Sequence, residues 1–170
     1  MAIRRILAAA SMLALIGLSA CGKPEDDGAN ADALTTPLPP YPAWAKPMIG
    51  QPLTKVLNGR GDCEGVFDVV ISRHAGAHPG VEVGGWAWDK AGQRGVQHIL
   101  FVDPDNKVIG AAEGGLLRTD VPKAMPEVKS PMVGWRGEIG ATTGVALAVG
   151  IGANNGACLR MGKFQLSTGY

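Results

Sequence analysis

Apolar residues beyond Cys63 recur at every second position in short runs, and no helix-length window carries a 3.6-residue period. Phe67, Val69 and Ile71 alternate with Asp68 and Ser72, a loop follows over 74–80, and 81–89 makes a second strand. Residues 96–103 predict a third strand. The turn Asp103-Pro104-Asp105-Asn106 leads from it into 107–112, which makes the two a hairpin. Positions 114–131 are mostly loop. Val133, Trp135 and Ile139 then share one face of a strand, with Trp135 in the core. Val145, Leu147, Val149 and Ile151 share a face of the next, whose other face carries only Ala146, Ala148 and Gly150. A strand apolar on both sides is central or covered. Asn154-Asn155-Gly156 turns into a last strand over 158–164. Short strands, 25 glycines and closely spaced turns predict an all-β domain over 63–165, an antiparallel β-sandwich or small barrel of about seven strands.

The first 62 residues have a different pattern. Arg4 and Arg5 precede an apolar run over 6–17, too short for a membrane span, and small residues follow to Cys21. The box Leu18-Ser19-Ala20-Cys21 resembles the processing site of bacterial lipoproteins. That resemblance implies that 1–20 is a signal peptide, that Cys21 is the lipidated N-terminus, and that the mature protein holds a membrane through acyl chains facing the periplasm. Gly22 stands where the enterobacterial pattern places an inner-membrane aspartate, so the resemblance favours the outer membrane. Residues 21–40 are polar and Pro-containing, a lipidated tether that spans about 60 Å if fully extended. Residues 41–62 are too apolar for a free linker and too Pro-rich for a long helix, so they are expected to pack on the domain, with a helical turn over 53–57. A short tail, 166–170, closes the chain.

Charge and cysteines narrow the picture. Without the first 20 residues the chain has 14 basic against 15 acidic side chains, a net −1 that lacks the basic footprint nucleic acid requires. With Cys21 lipidated, Cys63 and Cys158 remain in a disulfide-permissive compartment, and they are expected to bond across 95 positions, closing the domain.

Several short motifs follow one another in a familiar order: Cys63-Glu64-Gly65, Gly85-Trp86-Ala87, Val108-Ile109-Gly110 after the Asp-Pro-Asp turn, Arg118-Thr119-Asp120-Val121, Gly134-Trp135 and Ala157-Cys158. Over roughly residues 60–165 this resembles a β-sandwich module at the C-terminal ends of bacterial membrane proteins linked to glycan assembly, and it implies glycan binding. Arg118-Thr119-Asp120 departs from the Arg-Pro-Asp of that pattern.

Trp86 and Trp88 carry the sharpest chemical alternative. On an unbroken strand they point with Glu82 away from Val81, Val83 and Ala87, and two indoles beside a carboxylate on an exposed face would stack a sugar. A bulge at Gly84-Gly85 would instead turn both into the core. Arg118 and Asp120 form either a loop clamp or the polar rim of a ligand site. Arg136 and Glu138 are expected to be a solvated pair. His74 and His78 lie in a loop without supporting ligands, and Asp103, Asp105 and Asn106 fit a turn, so neither a metal nor a cofactor is expected. The expected function is a non-catalytic, lipid-anchored glycan-binding lipoprotein with a site at Trp86, Trp88, Arg118 and Asp120. The alternative is docking on an envelope protein through the Trp44 segment or a sheet edge, and an unrecognised hydrolase comes third.

Overall fold

The computed structural model describes residues 36–159 and 161–166. The expected signal peptide, Cys21, the tether as far as residue 35 and the tail from residue 167 lie outside the described residues. The described chain is all-β, with strands β1 (Cys63–His74), β2 (Gly80–Asp89), β3 (Arg94–Gly95), β4 (His98–Val102), β5 (Val108–Leu116), β6 (Gly134–Ile139), β7 (Gly144–Ile151), β8 (Ala157–Cys158) and β9 (Lys163–Leu166). Two short helices, α1 (Leu53–Val56) and α2 (Asp120–Ala124), interrupt the connections.

The strands form one sheet in the order β1-β2-β6-β5-β4-β7-β8, with β3 beside β2 and β9 beside β7, and every paired strand is antiparallel. This sheet curls into a half-barrel, on the barrel side of the two expected architectures. At one end its margins meet. Cys63 of β1 and Cys158 of β8 are bonded with Cα atoms 5.1 Å apart. Beside them the chain before β1 pairs with β8, Gly61 N–H donating to Ala157 O at 2.9 Å and Ala157 N–H to Gly59 O at 3.2 Å.

Strand alternation sorts the core into an interior and two covered outer faces. The interior holds Phe67, Val81, Val83, Ala87, Ile99, Phe101, Trp135, Ile139, Ala146 and Ala148. Phe67 lies 4.7–5.5 Å from Phe164, Phe101 and Trp135 by ring centroids, and Phe101 packs on Trp135 in turn at 5.6 Å. Gly85 is required opposite Trp135, because any side chain there would run into the indole.

Leu100, Val102, Val108, Ala111 and Val149 point outward and are covered by the segment 41–57 through Ala45, Leu53, Leu57 and the partly buried Trp44 and Met48. Both faces of β7 are therefore dry, the small one turned into the crowded interior and the branched one under this cover. Trp86 and Trp88 point outward from β2 and are covered by Val121, Val128 and Met125 of the 117–133 connection. Val133 packs in this cluster too, so it does not share the interior with Trp135 and Ile139 as the alternation suggested.

Candidate functional site

Of the two readings of β2, an unbroken strand or a bulge at Gly84-Gly85, the structure has the first: the pairing of β2 with β6 runs unbroken from Val81↔Ile139 to Trp86↔Gly134. The register shifts fall on β1 instead, between Phe67 and Val69 and between Val70 and Ser72. Each shift turns the next side chain to the other face. Phe67 stays inside, whereas Val69 pairs with the outward-facing Gly84 and Ile71 lies over that same glycine. The predicted common face of Phe67, Val69 and Ile71 is thus split by the extra residue, Asp68.

The sugar platform expected at Trp86 and Trp88 is corrected by the same geometry. The unbroken strand turns both indoles outward, yet they are 8 % and 1 % exposed beneath the 117–133 cover, so neither offers a ring face to solvent. Arg118 and Asp120 hold that cover down. The guanidinium donates from Nε and Nη2 to the two Asp120 carboxylate oxygens at 2.9 and 2.7 Å, and from Nη1 to Asp68 Oδ2 at 2.7 Å. The fork holds Asp120 down to about 2, chiefly through its hydrogen bonds from Arg118. A guanidinium clamped on two carboxylates is a fastener, with its planar fork already used.

What remains open on the outer face is a strip of β1 and its surroundings. Val66, Val69 (47 % exposed) and Ile71 (40 %) project from β1, which pairs on one side with β2 and, among the described residues, has no strand hydrogen-bonded along its other edge. Leu116 and Leu117 (63 %) stand opposite. Between them runs a shallow groove of about 270 Å³ lined by Val69, Ile71, Gly84, Leu116, Leu117 and Arg118. The sequence signal for it was present in the Val/Ile alternation but pointed inward, because nothing in the alternation marks Asp68 as an inserted residue.

A second, polar strip crosses β1, β2 and β6. Ser72 Oγ donates to Glu82 Oε2 at 2.8 Å, and Glu82 Oε1 pairs with Arg136 Nε at 3.3 Å. Glu138, the partner of Glu82 across the ladder, faces His74 Nε2 at 3.8 Å. Arg136 and Glu138 are therefore not a solvated pair with each other; each is paired with a different strand. Burial pushes the Glu138 carboxyl up to about 7, with the negative Glu82 adding and Arg136 opposing. Glu138 borders a groove of about 530 Å³ walled by Pro39, Pro40 and Pro42. A raised carboxyl in a groove is one half of an acid–base pair; the neighbouring carboxyl across the ladder, Glu82, has its oxygens engaged by Ser72 and Arg136, and the group facing Glu138 is the His74 imidazole.

His74 ends β1 and His78 lies in the following turn. Asp103 accepts from Asp105 N–H and Lys107 N–H at 3.0 and 2.9 Å, which is the expected turn. Asp89 was not singled out by its sequence. It is 2 % exposed and accepts from the Ala91, Gly92 and Ala153 amides, fastening the end of β2 to the loop before β8. An Asp two and three residues ahead of the amides it caps, in Asp-Lys-Ala-Gly, is the signal that would have found it. Among the described residues no group of three or more His, Cys, Asp or Glu side chains converges as a metal site. Comparison of the chain with protein-family models, curated proteins and solved structures finds no match.

Proposed function

We propose that this chain is a lipid-anchored, non-catalytic domain of the bacterial envelope that docks a partner protein, and that the partner lays an extended apolar segment along β1 into the groove between Val69, Ile71, Leu116 and Leu117. The supporting observation is the outward turn of Val69 and Ile71 on an edge strand. Edge strands are normally blunted by charge, Pro or a cover, and an exposed apolar edge is a template for another chain. An extended occupant fits because a sheet edge offers unpaired backbone groups beside pockets for alternate side chains. The anchoring half of the proposal rests on the Leu18-Ser19-Ala20-Cys21 box, and the disulfide agrees with an oxidising compartment outside the cytoplasm. A glycan site at Trp86, Trp88, Arg118 and Asp120 loses its footing, since its indoles are covered and its guanidinium is committed.

The test is site-specific photo-crosslinking in cells of the source organism, with the photoreactive residue placed at Leu117, at Val66 or, as a control, at the exposed Lys163. One adduct of the same mass is expected at Leu117 and Val66, absent at Lys163, and lost when Ile71→Asp is added. Adducts at all three positions, or adducts that survive Ile71→Asp, would overturn the docking proposal. Protection of the same positions by an envelope glycan would return the glycan reading to the lead.

A further inference from the structure

Residues 36–42 lie as a strap along the domain, and a few polar contacts hold it. The Leu38 amide donates to His78 O at 2.9 Å, and the Tyr41 hydroxyl donates to Ile109 O at 3.1 Å. At its start the Thr36 carbonyl lies 3.3 Å from His74 Nδ1. The His74 side chain is 9 % exposed, and its other nitrogen faces Glu138 Oε2. Neither Nε2 nor that oxygen has a hydrogen-bond partner. One buried imidazole thus stands between an acceptor on the strap and a carboxyl on the sheet.

Proton counting makes this arrangement conditional. A neutral imidazole has one N–H. If it points at Thr36 O, the Nε2 lone pair faces the carboxyl. With Glu138 ionised that contact is acceptor against acceptor, and turning the tautomer only moves the clash to the strap. One further proton, on Nε2 or on the carboxyl, makes both contacts donor to acceptor. We propose that His74 and Glu138 form a proton-operated latch for the 36–42 strap, fastened while the pair holds that proton and loosened when it is lost.

The surrounding charges act in a consistent direction. Glu82 on β2 opposes ionisation of Glu138, Arg136 on β6 favours it, and burial is the largest influence, keeping the proton on until about pH 7. Glu113 on β5 borders the same groove and accepts from the Trp44 indole. The Tyr41 phenol is raised by burial and by Glu138, so it stays neutral and keeps its bond to Ile109 across the range in which the latch works. A carboxyl raised in the fastened state supports that state fully below its ordinary value of 4.5 and progressively loses that support as pH rises from there through about 7. Releasing 36–40 while Tyr41 holds would add about 15 Å to the reach of whatever the N-terminus is attached to.

Hydrogen exchange of the Leu38 amide in the full chain at pH 5.5, 7 and 8.5, corrected for intrinsic exchange, tests the latch. Protection should fall about tenfold across this range in the wild type, while an amide of β4 stays constant as a folding control. Glu138→Gln, which has no proton to lose, should hold Leu38 protected at every pH. His74→Ala should leave it poorly protected at every pH. A wild-type profile that is flat, or a Glu138→Gln profile that still falls with pH, would overturn the proposal.

Discussion

β2 and β1 are neighbours in the same sheet, both apolar on their outer faces, and they are treated in opposite ways. Trp86 and Trp88 on β2 lie under the 117–133 connection, whereas Val66, Val69 and Ile71 on β1 are exposed, with no cover among the described residues. Outward apolar side chains are thus no sign of a binding surface by themselves. On β2, and equally on β4 and β7 under the 41–57 segment, they are a second and a third core built outside the half-barrel. The exposed strip is informative because the other apolar parts of the outer face lie under described segments of the chain, whereas this one does not.

If that distinction is physical, substitutions should separate the two strips by stability. Trp88→Ala is expected to cost the most, about 3–5 kcal/mol, as a buried indole is lost and the cover loses its floor. A urea melt of the variant checks it, and a loss below about 1 kcal/mol would mean that the cover is loosely held. Next comes replacement of Cys63 and Cys158 together by Ala. The bond spans 95 positions and joins the margins of the sheet, so about 2–5 kcal/mol should be lost, with the β1 and β8 amides becoming the first to exchange.

These two effects also mark what was legible in the sequence. The all-β class, the disulfide and the turns at Asp103–Asn106 and 154–156 follow from alternation, cysteine count and turn residues, each a local signal. The dry faces of β7 predicted a cover, and 41–57 supplies it. The cover on β2 was not legible, because 114–131 has no periodic apolar face; it takes only Val121, Met125 and Val128, dropped onto two tryptophans, to bury them. The bare strip was missed for a related reason. A bulge adds one residue to the register without requiring a glycine, so Gly84-Gly85 drew attention while Asp68 carried the shift. Those glycines make room on both faces instead, Gly85 for Trp135 and Gly84 for Ile71.

The fastenings of the cover and of the strap are expected to have smaller, pH-dependent effects. Arg118→Ala should loosen 117–133 and raise acrylamide quenching of Trp86 and Trp88 without unfolding the sheet. Asp120 is depressed by Arg118, so its contribution is present above its ordinary value of 3.8 and lost as pH falls from there toward about 2. Quenching in the wild type should therefore rise only in that acid range, and a rise near neutrality would contradict the clamp. Glu138 has the opposite sign. Its carboxyl is raised, so the folded state is penalised as pH climbs from its ordinary 4.5 toward about 7. Glu138→Gln should accordingly leave stability unchanged near pH 4 and increase it at pH 8, by no more than about 1–2 kcal/mol given partial exposure.

The smallest stability effect belongs to the bare strip, and the comparison turns on it. Ile71 covers Gly84 but is 40 % exposed, so Ile71→Ser removes a side chain that water already reaches over much of its surface. A loss near 0.5 kcal/mol is expected, roughly an order of magnitude below that of Trp88→Ala on the neighbouring strand. The same change removes one wall of the groove shared with Leu116 and Leu117. An apolar residue kept for folding alone would show stability loss and partner loss together. For Ile71 the partner adduct should disappear while the melt hardly moves, and a melt shift as large as that of Trp88→Ala would place Ile71 in the core and remove the docking strip.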